Sequence, residues 1–329
     1  MPAIDTHAHW FPPEWIALLH AEGPANGAAM GVNAKGHETI QLPGVPLVSS
    51  FPTDMVDLDI MVRNMNEWHV DMRALSLTNP MVYWATPAFG LKLSQAFNNA
   101  VAAAHTAYPD RILGTIMLPL QAPDLAVQEL NRAAKLPGMR AVYMAMHVSG
   151  NNIDHKPLWP VYARCEELGL PLCLHPVNPL GIERMRDYHM RNLCGNPTEA
   201  GIAAASLIFG GVLDAFPTLD VLLPHAGGTF PWLIGRYDRG VEVRKELKHM
   251  KQPASAYLRR FYYDTISHHP GIMRYLIDLV GADRVVLGSD YNFDVGYERP
   301  SEWIEQIPGL TAHERTLICS ENAQRFLKL

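Results

Sequence analysis

Short apolar runs alternate with amphipathic stretches along most of the chain, and this alternation predicts its secondary structure. Several runs, such as VLLPH and VVLGSD, are nearly continuous, which is typical of parallel strands buried on both faces. The pattern predicts eight strands, over Ala3–His9, Asp71–Leu77, Ile112–Leu118, Met139–Met146, Pro171–His175, Asp220–His225, Phe261–Ile266 and Arg284–Asp290. Helical periodicity between them predicts amphipathic helices, for example over Lys92–Tyr108, Leu125–Leu136 and Leu158–Gly169.

The order of these elements predicts the fold class. Strands that alternate with helices form β-α-β units and a parallel sheet. Eight such strands between residues 3 and 290 favour a closed (β/α)8 TIM barrel of the α/β class over an open doubly wound sheet. No low-complexity linker divides the 329 residues, so we expect a single domain over 1–329.

Three segments stand outside the repeat. Residues Ala21–Thr53 are rich in glycine and proline without a clear period, which predicts a long loop over the mouth of the barrel. Asn178–Asn196 form a second insertion after the fifth strand, and Thr311–Leu329 read as a closing helix.

Composition narrows the class of protein. Charged residues make up 18% of the chain and apolar residues 48%. The charged share is below the ~25% of typical soluble domains, which indicates much buried surface, in one large core or in a subunit interface. The formal net charge is −6 and there is no basic block, so we expect no nucleic-acid partner.

The remaining composition signals concern the compartment. The four cysteines form no CxxC pair and predict no disulfide framework. The N-terminal segment MPAIDTHAHWFPPEW lacks the basic and apolar regions of a signal peptide. No apolar stretch approaches the ~18 residues of a membrane span. We therefore expect a cytoplasmic protein with no membrane partner.

Candidate chemistry collects at the predicted strand ends. His7 and His9 end the first strand as an H-x-H pair, and alternate residues of a strand point to the same side. His175, His225 and Asp290 end the fifth, sixth and eighth strands, and catalytic groups of this fold lie at that face. Imidazole and carboxylate together suit Zn²⁺, Mn²⁺ or Fe²⁺. The alternative, that these are unrelated histidines, requires an independent coincidence at four strand ends.

Longer segments carry a family resemblance. These are Ile4–Trp15, Ala74–Ala85, Leu172–Pro176, Gly195–Arg239, Leu287–Phe293 and Ser320–Phe326, spread over nearly the whole chain. In them the sequence resembles the amidohydrolase superfamily, and within it the aminocarboxymuconate-semialdehyde decarboxylase-like branch. The block HAGGTFPWLIGR is the most branch-specific part.

The resemblance implies a site and an activity. It makes His7, His9, His175 and Asp290 ligands of one divalent metal ion, with Zn²⁺ as the first choice and Mn²⁺ as the alternative. It gives proton handling to His225, and Asp290 is a second candidate for that role. The implied activity is the non-oxidative decarboxylation of a small aromatic or dienyl carboxylic acid. A metal-dependent hydrolase of an amide, ester or lactone could use the same residues, and a catalytically idle barrel would have lost some of them.

Substrate contacts are expected from four further residues. Arg236 matches an arginine that in the family reaches the substrate carboxylate of a neighbouring subunit, which implies a homodimer. Arg184 matches a basic position of the decarboxylases, and Trp10 and Phe293 are candidates to wall an aromatic ring. The alternatives are an ordinary helix arginine at Arg236, a surface residue at Arg184 and plain packing by the two aromatic residues.

The sequence departs from the decarboxylase pattern at two places. The segment before the second strand, FPTDMVDLDIMVRNM, has no arginine until Arg63, and a tryptophan of the second insertion is replaced near Asn192. Both changes affect the substrate pocket and leave the metal residues intact. They favour a related aromatic acid with a single carboxylate as the small-molecule substrate.

Overall fold

Eight parallel strands form one sheet in which each strand pairs with its neighbours in chain order. The computed structural model describes residues 2–43 and 48–329. The predicted (β/α)8 barrel and all eight predicted strands are confirmed. The strands are β1 Ile4–His9, β2 Met72–Ser76, β3 Ile112–Met117, β4 Met139–Ala145, β5 Leu172–His175, β6 Val221–Leu223, β7 Phe261–Asp264 and β8 Val285–Val286.

The barrel closes between β1 and the segment that follows β8. The backbone N–H of Thr6 donates to the carbonyl of Leu287 over 2.9 Å, and that of Asp290 donates to the carbonyl of His7 over 2.9 Å. These hydrogen bonds place the carboxyl ends of the first and last strands side by side.

Helices surround the barrel, and most begin with a proline in their first turn, where the missing N–H costs no hydrogen bond. They are α1 Pro13–Glu22, α2 Leu58–Glu67, α3 Pro87–Ala107, α4 Pro123–Ala133, α5 Trp159–Leu168, α6 Asn196–Phe209, α7 Val212–Ala215, α8 Phe230–Val243, α9 Pro270–Val280, α10 Pro300–Trp303, α11 Ala312–Thr316 and α12 Asn322–Leu327. The three predicted helices correspond to α3, α4 and α5. None of the described helices is long and apolar enough to cross a bilayer.

The first insertion differs from the continuous loop expected over Ala21–Thr53. Within it a three-stranded antiparallel sheet forms from Ala29–Val32, Glu38–Gln41 and Val48–Phe51. Gly36 occupies the turn between the first two of these strands, with φ near +80°. Residues 44–47, which belong to the same expected loop, lie outside the described residues.

This small sheet packs beside the carboxyl end of β1. The ring of Phe51 lies 4.7 Å from that of Phe11 and 5.9 Å from that of Trp15, centroid to centroid. The contact anchors the insertion to α1 and to the chain that leaves the barrel after His9.

The second insertion and the tail are largely helical. Asn178–Asn196 contains a 3-10 turn over Ile182–Arg184 and a π-helical turn over Arg191–Gly195 that runs directly into α6. In the tail, α11 and α12 are joined by a further π-helical turn, so the predicted closing helix is confirmed. The side-chain amide of Asn322 donates to the carbonyl of Val285 over 2.7 Å, which fixes this helix to β8.

Charged side chains lie inside the barrel at the seam between its first and last strands. Arg73 on β2 and Asp5 on β1 are both fully buried, and the arginine Nε donates to the carboxylate over 3.0 Å. The hydroxyl of Ser289 donates to the same carboxylate, and the Arg73 guanidinium lies 4.0 Å from the ring centroid of Tyr291. The pair therefore joins two strands to the segment that carries Asp290.

Candidate metal centre

Five polar side chains converge at the carboxyl ends of four strands. His7 and His9 project inward from β1, His175 ends β5, His225 follows β6 and Asp290 follows β8. One ligand atom from each of His7, His175, His225 and Asp290 lies within 4.8 Å of all the others. His9 adjoins this cluster, because its Nε2 is 3.0 Å from Oδ1 of Asp290. The sequence-predicted residues are thus brought together, as the strand-end positions require.

A buried carboxylate fixes the tautomer of His7. Its Nδ1 lies 2.8 Å from Oδ2 of Asp264, an oxygen that can only accept, so Nδ1 carries the proton. In the neutral ring the lone pair is therefore on Nε2, which points toward Oδ1 of Asp290 at 3.4 Å. Burial would lower the pKa of His7, but Asp290 and Asp264 outweigh it and raise that pKa above its ordinary value. This Nε2 atom is buried and has no hydrogen-bond partner among the described residues.

Ser76 fixes the tautomer of His9 in the same way. The serine hydroxyl donates to the carbonyl of Ala8 over 2.8 Å, so it accepts from Nδ1 of His9 at 3.0 Å. The Nε2 lone pair of His9 then faces Oδ1 of Asp290. When both imidazoles are neutral, two lone pairs and a carboxylate oxygen therefore meet with no proton between them.

This arrangement fits a cation. Burial lowers the pKa of His9 to about 4 and that of His175 well below its usual value, which keeps both imidazoles neutral and able to coordinate. Burial would raise the pKa of Asp290, but His7, His225 and His9 outweigh it and hold that pKa well below its ordinary value. Neutral imidazoles around an ionised carboxylate are the ligands that Zn²⁺ and Mn²⁺ accept.

His225 occupies a different position in the cluster. Its Nε2 is 3.7 Å from Oδ2 of Asp290, and its side chain keeps 12% of its surface exposed, whereas that of His9 is fully buried. His225 and Ala226 both have positive φ, 55° and 53°, in a sharp turn after β6. The turn directs the imidazole between the buried carboxylate and the open cavity.

The cavity beside the cluster has a volume of about 270 Å³. His225 and Asp290 line it, and the rest of its wall is mostly apolar. In that wall Trp232 and Tyr275 stack with their rings 4.7 Å apart and 15° from parallel. The described residues that line the cavity include no lysine or arginine. They also include no described residue of the first insertion.

The four predicted substrate contacts do not line this cavity within the described part of one chain. Trp10 is buried and its indole N–H donates to the carbonyl of Val56. Phe293 packs its ring 5.4 Å from that of His9. Arg184 is exposed on its 3-10 turn, and Arg236 is exposed on α8. Their substrate roles thus stay predictions.

The sequence analysis missed two residues at the site, one beside His7 and one in the cavity wall. Asp264, which contacts His7, ends β7, so the strand-end position that singled out Asp290 also applies to it. His268 lines the cavity, has φ of 58°, and donates its backbone N–H to the hydroxyl of Tyr297 over 2.7 Å. It stands in a loop, where sequence pattern gives no orientation.

Known proteins resemble this chain over its full length. The sequence model of a family described as amidohydrolase matches residues 4–329. A 2-amino-3-carboxymuconate-6-semialdehyde decarboxylase of Dictyostelium discoideum is 31% identical over 329 residues, which cover 99% of this chain and 91% of that protein.

Solved structures share the fold. The apo form of Metarhizium anisopliae IDCase matches with a TM-score of 0.88 at 21% identity, covering 99% of this chain and 97% of that one. A dihydroxybenzoic acid decarboxylase of Polaromonas sp. JS666, solved with manganese and the inhibitor 2-nitroresorcinol, matches with a TM-score of 0.81 at 25% identity, covering 100% and 97%.

We expect the purified protein to contain about one equivalent of divalent metal per chain. Removing it with a chelator should lower the thermal unfolding midpoint, because the converging lone pairs and Asp290 then lack a counter-charge. Activity should disappear with the metal and return when it is restored. Elemental analysis and thermal denaturation before and after chelation measure this, and full activity in rigorously metal-free protein would contradict it.

Proposed function

The chain belongs to the amidohydrolase family, and on that premise we propose that it is a metal-dependent, non-oxidative decarboxylase of a small aromatic or dienyl carboxylic acid. The observation that carries this choice is the full-length similarity to the Dictyostelium discoideum decarboxylase. The site alone is equally suited to hydrolysis, since both reactions need a polarising cation and a proton-transfer group.

In this proposal His7, His9, His175 and Asp290 hold one divalent ion. When bound, such an ion polarises a substrate oxygen and stabilises negative charge that develops on the substrate. Zn²⁺ remains the first choice from the sequence, and the manganese in the Polaromonas structure supports Mn²⁺ as the alternative. The cytoplasmic location expected from the sequence stays a prediction.

The proton steps fall to His225 and Asp290. In the reaction the carbon–carbon bond to the carboxylate breaks, its electron pair stays on the ring or dienyl carbon, that carbon takes up a proton, and CO₂ leaves. His225 faces the cavity with its Nε2 3.7 Å from Asp290, so a proton can be held by either group and delivered to that carbon.

The cavity fits a single ring better than an extended substrate. Its volume of about 270 Å³ is near the lower limit of ordinary ligand pockets, ~300 Å³. The stacked Trp232 and Tyr275 offer an aromatic face, and Ile272 and Leu276 add apolar surface. These features support a small aromatic acid with a single carboxylate.

A panel of aromatic acids, amides, esters and lactones separates decarboxylation from the runner-up, hydrolysis. We expect metal-loaded protein to release CO₂ from at least one hydroxylated aromatic acid, measured by a coupled CO₂ assay and by the decarboxylated product. Metal-free protein is the control. Release of a new carboxylate from an amide, ester or lactone, with no CO₂ from any acid, would instead establish the hydrolase.

His225→Ala should lower turnover by about 10²-fold or more while metal content stays near that of the unaltered protein. The reason is that four other ligands remain while the cavity-facing imidazole is lost. Metal analysis and steady-state kinetics on the same preparation measure both quantities. If the metal is lost together with activity, His225 is itself a ligand, and His9→Ala then becomes the comparison that identifies the fourth protein ligand.

The absence of a cationic side chain from the described lining supports a contribution from a second subunit. Trp232 at the cavity is 57% exposed, and Arg236 lies one turn further along α8, also exposed. Arg236 makes no hydrogen bond or ion pair with the described residues, whereas Arg239 on the same helix pairs with Glu242. We propose a homodimer in which Arg236 holds the substrate carboxylate in the partner's cavity.

Mixing Arg236→Ala chains with chains that carry both His7→Ala and His9→Ala tests this arrangement. A mixed dimer then has one site with both defects and one with neither, so activity should partly return. Arg239→Ala in place of Arg236→Ala is the matched control and should be active on its own. A monomer by light scattering, or no recovery despite demonstrated subunit exchange, would rule out sharing between subunits.

A further inference from the structure

Asp264 is the last residue of β7. Its two carboxylate oxygens contact the His7 ring and the backbone of the turn that carries His225. Oδ2 accepts from Nδ1 of His7 over 2.8 Å and from the backbone N–H of His225 over 3.0 Å. Oδ1 accepts from the backbone N–H groups of Ala226 over 2.8 Å and of Ile266 over 3.1 Å. The residue is fully buried, and these four groups are the hydrogen-bond donors to its carboxylate among the described residues.

The contact between Asp264 and the His7 ring sets which nitrogen of His7 can bind a metal ion. Because Asp264 accepts the Nδ1 proton, the lone pair is confined to Nε2, on the side of the ring that faces Asp290. In the other tautomer a proton would point into the cluster and the lone pair would face a carboxylate. The contact to Asp264 thus decides whether His7 can be a ligand.

The contacts between Asp264 and the backbone of the turn set the position of His225. The turn at His225 and Ala226 needs two successive residues with positive φ. Residues other than glycine adopt this backbone conformation only when the surroundings impose it. The backbone N–H groups of both residues donate to the carboxylate of Asp264. This carboxylate therefore provides the hydrogen bonds that favour the turn and direct the His225 imidazole to the cavity.

From this geometry, and resting on the proposed metal site, we propose that Asp264 is a positioning residue that sets the ligand tautomer of His7 and the placement of His225 with a single carboxylate. It touches neither the substrate cavity nor the cluster's ligand atoms, and acts through the two histidines.

An amide cannot replace this carboxylate in either orientation. If the Asn oxygen accepts from His7 and His225, its NH₂ group faces the N–H groups of Ala226 and Ile266. If the amide is reversed, the NH₂ group faces the N–H of His225 and turns Nδ1 of His7 into an acceptor. Asp264→Asn therefore disturbs the site with a nearly unchanged side-chain volume.

Calorimetric titration of metal-free Asp264→Asn with Zn²⁺ and with Mn²⁺ tests the proposal. We expect metal affinity to fall 10- to 100-fold and turnover at saturating metal to fall about 10-fold or more. Glu129→Gln is the matched control, since Glu129 is also a buried carboxylate, paired with Asn98 and Arg132 and remote from the site. It should lower the thermal midpoint while affinity and turnover stay unchanged.

The tautomer of His7 provides a readout that needs no altered Asp264. Long-range ¹H–¹⁵N correlation spectra of the metal-free protein, assigned by loss of signals in His7→Gln, should show a proton on Nδ1, the nitrogen that faces Asp264. Absence of a proton from Nδ1 would overturn the proposal, as would an Asp264→Asn protein with unchanged metal affinity and turnover. Failure of the unaltered protein to bind any metal would refute the proposed function instead, and the tautomer measurement would still decide the role of Asp264.

Discussion

Closure of the barrel between its first and last strands is the constraint on which the site depends. The seam joins residues more than 280 positions apart in the chain, and a buried carboxylate, Asp5, holds it by accepting from the N–H and hydroxyl of Ser289 and from Arg73. His7 follows Asp5 by two residues, and Asp290 follows Ser289 directly. The same hydrogen bonds that close the barrel therefore set the separation between the H-x-H pair and the carboxylate it faces.

Buried polar groups at the carboxyl end of the barrel divide into two kinds. Asp5 and Asp264 are surrounded by donors, so the oxygens of each buried carboxyl group have hydrogen-bond partners within the protein. Around Asp290 the balance is reversed, because in their neutral forms His7 and His9 present Nε2 lone pairs to an acceptor. Unpaired acceptors in a buried site are costly unless a cation joins them. The pattern of satisfied and unsatisfied groups thus locates the metal site independently of any family resemblance.

The sequence predicts the barrel and its strand-end residues well because both follow from local periodicity. Continuous apolar runs give the strands, and a polar residue at the end of such a run lies at the carboxyl face whatever the details of packing. The small sheet within Ala21–Thr53 was not predicted, because its strands are only four residues long and the glycines and prolines around them are typical of a loop. Asp264 was missed because its strand was predicted to run to Ile266, two residues past its actual end. Its four donors also come from β1, the turn after β6 and its own loop, so no single segment shows its full role. Contacts to substrate, such as those expected of Arg236, depend on helix orientation and, in the proposed dimer, on a second subunit, and local periodicity reports neither.

The different surroundings of His9 and His225 bear on how the site divides its work. His9 is enclosed, with Ser76 at one nitrogen, Asp290 at the other and the ring of Phe293 against it. An imidazole fixed at both nitrogens is well suited to hold an ion but has no free edge with which to exchange a proton.

His225 is held by its backbone rather than by its ring, and it borders the cavity. A group that passes a proton must reach both the buried carboxylate and the substrate, and His225 alone among the four histidines lines the cavity in the described part of the chain. The contrast favours His9 as a ligand and His225 as the proton-transfer residue, even though both imidazoles approach the same aspartate.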